Sequence, residues 1–223
     1  MYLSRAQLRN DSTVRAIAPL LLPTESNAGL LAAHRMVWSL MSDAPSRTRD
    51  FLWREEQPGK FLIFAPRPAN GGGLFDVESK PWEPDLNTGD RLSFLLRANP
   101  TIARSPGPGL RGKRLDVVGD AIRDVPAGER AAERPALIVN TGRSWLTRQG
   151  ARAGFVPDAG TLRVDGYDWV RIPRDEQRAV EFGRLDFEGM LEVREPTTFL
   201  AAVIAGFGRA RAFGCGLMLL RRA

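Results

Sequence analysis

A glycine-rich segment near the C-terminus, residues 206–216, constrains the fold of this chain more than any other feature. It reads GFGRARAFGCG, and it separates an apolar run typical of a helix, residues 199–205, from one typical of a strand, residues 217–220. Glycine allows positive φ and a close approach to a ligand with backbone N–H groups exposed. Arginine adds a planar set of donors that suits phosphate oxygens. The segment therefore predicts a loop that binds a polyanion.

The distribution of charge also indicates an anionic partner. The net charge is +6, and only three of the 32 basic residues are lysine. Residues 111–223 carry 19 basic and 15 acidic side chains, against 13 and 11 in residues 1–110. Enrichment in arginine is also typical of a GC-rich genome, so that explanation stays open beside phosphate binding. Because the excess lies in the second half, we expect the anion to meet that half.

Composition excludes several classes of site. A single cysteine, Cys215, cannot form an internal disulfide and fits a reducing cytoplasm. One histidine and one cysteine cannot complete a tetrahedral zinc site, and no cofactor is expected. Residues 107–113 match the GxxxxGK pattern of phosphate loops, but Arg114 replaces the hydroxyl that binds magnesium. With no apolar leader and no run of 18 apolar residues, we expect a soluble cytoplasmic protein without membrane contact.

Periodicity predicts two successive mixed units. The first half shows a strand at 2–8, a helix that Ser26 or Asn27 caps and that runs to about Met41, a hairpin at 51–56 and 60–64, and extended segments at 74–80 and 91–97. The second half shows a helix at 141–152, strands at 161–170, 184–193 and 217–220, and a helix at 197–205. Segments 11–25 and 105–114 are predicted to be irregular, and 129–134 to be exposed. Each half approximates β-α-β-β-α-β, although the second helix of the first half is weak.

The only histidine, His34, lies in the predicted first helix. Leu30, His34, Val37 and Met41 project from the same side of that helix, which by itself favours a buried core histidine. The alternative is general acid–base catalysis, because imidazole titrates near neutral pH. RNA offers a reaction that needs little more, since its 2′-hydroxyl can attack the adjacent phosphodiester. A histidine and a basic loop would suffice without a metal.

The chain resembles a known family in several segments that occur in the family's order. These are MYLS at the start, HRMVW at 34–38, RDFLW at 49–53, LSFLLRANP at 92–100, FEG at 187–189 and the terminal glycine loop. They are similar to the CasE-type CRISPR endoribonucleases of type I-E Cascade, within the RAMP superfamily. The resemblance implies an α+β fold of two tandem ferredoxin-like (RRM-like) domains, here residues 1–90 and 91–223. It also implies cleavage of CRISPR precursor RNA at the base of the repeat stem-loop, without a metal.

Site residues follow from the same resemblance. His34 matches the catalytic histidine, and the loop glycines match the family's glycine-rich loop: Gly206, Gly208, Gly214 and Gly216. Arg211 occupies a basic position of that loop, whereas Arg209 stands where the family has proline. Other candidates for RNA contact are Arg97, Lys113, Arg143 and Arg148. The main departure is Leu31, because the resemblance implies a tyrosine three residues before the histidine.

Three hypotheses remain at this point. The first is an endoribonuclease that makes guide RNA with 2′,3′-cyclic phosphate and 5′-hydroxyl ends and stays bound beside other Cascade subunits. The second is a non-catalytic RNA-binding subunit of the same complex, which Leu31 favours. The third is an unrelated α+β protein whose basic loop binds another polyanion. Incubation with a repeat hairpin in the presence of a chelator discriminates among them.

Overall fold

A four-stranded antiparallel sheet forms the first half of the molecule in a computed structural model, which describes residues 1–23, 26–42, 47–105, 107, 112–175 and 178–222. Its strands lie in the order β2-β3-β1-β4; they are β1 (Tyr2–Leu8), β2 (Leu52–Gln57), β3 (Lys60–Ala65) and β4 (Phe75–Pro81). The helices α1 (Ser12–Leu21) and α2 (Ser26–Met41) connect β1 to β2.

The helix α2 covers one face of this sheet. Its residues Ala33, Val37 and Leu40 are at most 2% exposed and recur at helical spacing. They pack against Trp53 of β2 and Phe61 of β3 in one core cluster. The predicted helix is therefore confirmed, and His34 lies beside this buried stripe rather than within it. The side chains of Ser26 and Asn27, where a cap was predicted, lie outside the described part of the chain.

A five-stranded antiparallel sheet forms the second half. Its elements, with a small hairpin and three helices beside it, are β5 (Arg91–Ala98), β6 (Thr101–Arg104), β7 (Lys113–Asp116), α3 (Val117–Ala121), α4 (Arg130–Ala153), β8 (Phe155–Pro157), β9 (Arg163–Asp175), β10 (Arg178–Val193), α5 (Pro196–Ala205) and β11 (Met218–Arg222). The strand order is β11-β5-β10-β8, and β9 also pairs with β10. Trp145 of α4 and Phe199 of α5 pack with Leu96 and Phe187 in the core of this half.

The two sheets share one topology. In each, the first strand in the chain lies between the last strand and the next-to-last strand, and all neighbouring strands are antiparallel. This is the strand order of a ferredoxin-like β-α-β-β-α-β unit, so the predicted α+β fold is confirmed. The first unit departs from it in one respect, because residues 66–74, all of them described, join β3 to β4 without a helix.

The long β9–β10 hairpin links the two halves. Val170 and Ile172 of β9 and Phe182 of β10 are buried in the core cluster that contains α2. A separate small cluster, with Leu52 of β2 and Leu217 among its members, connects the two halves on the side of the first sheet that is turned away from α2. The helix that carries His34 is thus held between its own sheet and a strand pair from the other.

One sequence prediction for a connecting segment was wrong, and one predicted helix was too short. Residues 11–25 were predicted to be irregular, yet α1 forms there, and the Asp11 side chain caps it by accepting a hydrogen bond from the Val14 N–H at 3.0 Å. The helix predicted at 141–152 is the end of the 24-residue helix α4. Within the segment 105–114, residues 106 and 108–111 lie outside the described residues, and β7 begins at Lys113. No helix in the described ranges is long and apolar enough to span a membrane.

Candidate active site

His34 is anchored to the glycine-rich loop. Its Nδ1 lies 2.7 Å from the carbonyl oxygen of Ala212, a residue 178 positions later in the chain. A carbonyl oxygen can only accept a hydrogen bond, so Nδ1 must carry the hydrogen. In the neutral ring Nε2 then has a free lone pair. The anchor therefore selects the tautomer in which Nε2 can accept a proton.

Aromatic rings fix the position of this anchor. The Phe213 ring lies 5.4 Å from the His34 ring, and the Trp38 ring lies 6.3 Å from it in an edge-on arrangement. The Trp53 indole N–H donates to the same Ala212 carbonyl at 3.2 Å. One carbonyl of the loop thus accepts from a helix residue and from a strand residue. This arrangement restrains the imidazole on two sides without closing it off from solvent.

The surroundings of His34 keep its imidazole neutral. Burial is the main cause that lowers the pKa of His34 below its ordinary value. The hydrogen bond to Ala212 raises the pKa, whereas the positive charges of Arg49 and Arg35 lower it further. Near pH 7 the ring is therefore a proton acceptor, which is the state that a general base requires.

The glycines of the loop permit close contacts within the protein. Gly206, Gly208, Gly214 and Gly216 all have φ between 72° and 95°, a region that other residues rarely adopt. A β-carbon at Gly206 would lie 2.8 Å from the Leu52 side chain, and one at Gly208 would lie 2.7 Å from the Asn99 carbonyl oxygen. The loop therefore packs against the ends of β2 and β5 only because these positions have no side chain.

Several backbone N–H groups of the loop are used inside the protein. Those of Phe207 and Gly216 donate to the carbonyl oxygens of Gly216 and Arg97, at 2.9 and 2.7 Å. Those of Arg209 and Phe213 donate to Asn99 and Ala210, at 3.3 and 2.8 Å. These four N–H groups are not free to bind a phosphate, although the sequence suggested exposed N–H groups. Contact between the loop glycines and RNA stays a prediction.

Of the two loop arginines, Arg211 lies close to Arg49, and the charge of Arg49 acts on His34. Arg211 is half-buried, its Nε donates to the Gly208 carbonyl at 3.3 Å, and burial lowers the pKa of its guanidinium. Arg209 is exposed. Sequence reasoning missed a third residue, Arg49, which is half-buried and close enough to lower the pKa of His34. The motif RDFLW contains it, but only the structure shows that it lies next to His34 and Arg211.

Arg97 is engaged in an ion pair. Its Nε and Nη2 donate to the two carboxylate oxygens of Asp186 at 2.9 and 2.7 Å. Arg54 of β2 approaches the same carboxylate at 3.6 Å, so Asp186 joins arginines from both sheets. The hydrogen bond to Asp186 raises the pKa of Arg97. Because its charge is compensated, Arg97 serves the joint between the two sheets, and its contact with RNA stays a prediction.

The other predicted RNA-binding residues lie on elements other than α2 and the glycine-rich loop. Arg143 of α4 donates to the carbonyl oxygens of Ala159 and Leu162, at 3.3 and 2.7 Å, and so ties α4 to the connection between β8 and β9. Arg148 is exposed on α4, and Lys113 is exposed in β7. These three residues belong to elements of the second half that do not form the loop.

Neither Leu31 nor Tyr167 supplies a second titrating group beside His34. Leu31 packs against the core of the first half. The Tyr167 hydroxyl donates to Asp116 at 3.0 Å, and burial together with that carboxylate raises the pKa of Tyr167. Tyr2 lies in β1, opposite Ala65 and Pro81. In the described ranges, no group of three or more histidine, cysteine or acidic side chains is arranged to hold a metal.

Comparison with known proteins places the whole chain in one group. A family model described as CRISPR associated protein matches residues 1–222. The chain is 27% identical over 199 residues to the CRISPR system Cascade subunit CasE of Escherichia coli K12, covering 86% of this chain and 91% of that protein. It is 32% identical over 152 residues to the CRISPR-associated endoribonuclease Cse3 of Thermus thermophilus, covering 62% and 59%. A structure of the endoribonuclease Cse3 bound to 19-nucleotide RNA superposes with a TM-score of 0.69 at 26% identity, covering 99% of this chain and 97% of that one.

Proposed function

Because the chain belongs to the family of CRISPR associated proteins, we propose that it is the endoribonuclease that cuts CRISPR precursor RNA at the base of the repeat stem-loop. The product, the mature guide RNA, stays bound to the protein beside other Cascade subunits. The observation that carries the proposal is the anchor from His34 to Ala212, which leaves Nε2 free beside Arg49 and Arg211. We propose residues 1–90 and 91–223 as its two domains and the cytoplasm as its compartment.

The reaction needs only proton transfer and stabilisation of charge. Nε2 of His34 accepts the proton of the 2′-hydroxyl as that oxygen attacks the adjacent phosphorus. The phosphorane that forms carries negative charge, which nearby guanidinium groups stabilise. The bond to the 5′-oxygen then breaks, and that oxygen takes a proton from the imidazolium or from water. The products are a 2′,3′-cyclic phosphate and a 5′-hydroxyl, and no metal enters the scheme.

Arginines of the glycine-rich loop and of other elements would hold the RNA. Arg209 and Arg211 lie on the same loop as Ala212 and are the proposed contacts to the phosphates next to the cut. The loop glycines and Arg97 shape and hold this loop, and they remain proposed RNA contacts together with Lys113, Arg143 and Arg148. Phosphate contacts of this kind position an RNA without reading its sequence.

Cleavage of a synthetic repeat hairpin in EDTA tests the proposal. We expect one cut at the base of the stem, with a cyclic phosphate on the 5′ product and a hydroxyl on the 3′ product. Tight binding without a cut would favour the alternative, a non-catalytic RNA-binding subunit, for which Leu31 is the best argument. A strict requirement for magnesium would show that the metal-free scheme is wrong.

The pH dependence of kcat/KM should report the pKa of His34 in the free enzyme. The rate should rise with pH as the imidazole loses its proton and then stay level to about pH 9. Since burial and two arginines lower the pKa of His34, the midpoint should lie below the ordinary value of about 6.5. Rates measured between about pH 4.5 and 9 test this. A second, falling limb that disappears in Tyr2→Phe would identify Tyr2 as a second catalytic group.

Removal of the loop arginines should weaken RNA binding and reduce its salt dependence. Arg209→Ala and Arg211→Ala should each lower the log–log slope of affinity against salt by roughly 0.7–0.9 if each contacts one phosphate. The control is Arg91→Ala, which removes an exposed arginine paired with Asp158 at the opposite end of β5 from the loop. Fluorescence anisotropy with a 2′-deoxy hairpin measures the slope. An unchanged slope in the double variant would show that the loop does not contact phosphate.

A further inference from the structure

Two half-buried arginines, Arg49 beside His34 and Arg211 on the loop that anchors it, have no acidic partner among the described residues. Arg49 donates from Nη1 to the Phe51 carbonyl at 2.9 Å, and Arg211 donates from Nε to the Gly208 carbonyl at 3.3 Å. Asp50, the nearest acid in sequence, is bound instead to Arg67 and lies 3.9 Å from Arg47. Each guanidinium therefore has a carbonyl contact, and no described acidic residue compensates its charge.

The two charges are close enough to affect each other. Burial lowers the pKa of Arg49, and the positive charge of Arg211 lowers it further. Partly buried like charges without a counter-ion are unfavourable, whereas most arginines in the described part of this chain are exposed or paired. A bound anion would relieve this repulsion. A phosphate is a suitable anion because its oxygens accept charge-assisted hydrogen bonds from guanidinium groups.

Packing fixes Arg49 relative to the imidazole. The Phe51 residue whose carbonyl holds Arg49 is 3% exposed, and its ring lies 5.2 Å from that of Trp38 in an edge-on arrangement. Trp38 in turn contacts His34, four residues earlier on α2. On the other side, Arg211 precedes Ala212, whose carbonyl anchors His34. The two arginines therefore approach the imidazole from the segment before β2 and from the loop.

We propose that Arg49 is a further catalytic residue, which binds a non-bridging oxygen of the scissile phosphate and, with Arg211, stabilises the negative charge of the phosphorane. The inference rests on the proposed function and adds the group that acts on the phosphate. His34 moves the proton, and Leu31 has no proton or charge to offer. Arg49 supplies electrostatic stabilisation at a site where neither Leu31 nor Tyr167 provides a second titrating side chain.

Single-turnover cleavage by Arg49→Met tests this role. Loss of one donor that stabilises a developing oxyanion costs about 10²–10³ in rate, so we expect a fall of that size. Affinity for a hairpin with 2′-deoxyribose at the cut should change only a few fold, because Arg49 is one of several contacts. Arg49→Lys keeps the charge but loses the planar donors and should recover part of the rate. The control Arg91→Met should cleave as the unmodified protein does.

Sulfur substitution at the scissile phosphate separates a contact from a structural role. If Arg49 binds one non-bridging oxygen, one of the two phosphorothioate diastereomers should react more slowly with the unmodified protein. That penalty should shrink in Arg49→Met. An unchanged penalty, or cleavage by Arg49→Met within a few fold of the unmodified rate, would overturn the inference. Absence of cleavage by the unmodified protein would overturn the proposed function instead, so the two failures are distinguishable.

Discussion

Replacement of His34 by alanine is expected to abolish cleavage of the repeat hairpin while leaving its affinity within a few fold. His34 is the only histidine in the chain, and Nδ1 is committed to Ala212, so the free Nε2 is the group available for proton transfer. Acid–base catalysis by a positioned side chain contributes about 10²–10⁴ in rate, and alanine removes all of it. Single-turnover cleavage with excess protein gives the rate, and binding of an uncleavable hairpin gives the affinity.

His34→Asn is the matched variant for this experiment. The asparagine amide can donate to the Ala212 carbonyl, as Nδ1 does, but it has no group that titrates near neutral pH. It should therefore keep the loop in place and still fail to cleave. Recovery of the rate in His34→Asn would show that His34 only holds the loop. Cleavage by His34→Ala at the unmodified rate would refute its assignment as the catalytic residue.

A single 2′-deoxyribose on the 5′ side of the cut should make the hairpin resistant to cleavage without preventing its binding. The 2′-hydroxyl is the nucleophile in the proposed reaction, and no other group in the scheme replaces it. The phosphates that the arginines contact are unchanged, so the affinity should stay within a few fold. Gel analysis over a time course long enough for complete cleavage of the all-RNA hairpin measures the difference.

The control for this substrate is a 2′-deoxyribose placed one nucleotide away from the cut, which should be cleaved normally. Cleavage of the first substrate would mean that water or another nucleophile attacks the phosphorus. That result would show that the proposed attack by the 2′-hydroxyl is wrong, and it would not affect the proposed RNA-binding surface.

Local patterns predicted the parts of the site but not their assembly. Helical spacing of apolar residues located α2 and the position of His34 on it, and the glycines located the loop. The hydrogen bond from His34 to Ala212 joins two elements 178 residues apart, and neither element carries a local signal for the other. Among the described residues Arg49 has no acidic partner, while its neighbour Asp50 bonds to Arg67 instead, and this too follows only from the tertiary structure.

The sequence shows why α1 was missed and why α4 was predicted too short. In α1, Pro19 suggested a break, yet it lies in the last turns of a short helix. In α4, residues 131–136 are exposed and polar or small, so they show no apolar period, and Pro135 lies among them. The loop glycines also misled in part, because the close approach they permit is to Leu52 and Asn99 of the protein itself.

The anchor of His34 also determines when during synthesis the site can exist. The ribosome releases α2 long before residue 212, so His34 emerges without the carbonyl that selects its tautomer. The strands that cover α2 from the second sheet, β9 and β10, follow it as well. A nascent chain that has folded only its first sheet therefore carries the histidine but not a working nuclease. The site can therefore form only after β9, β10 and the loop up to Ala212 have been synthesised.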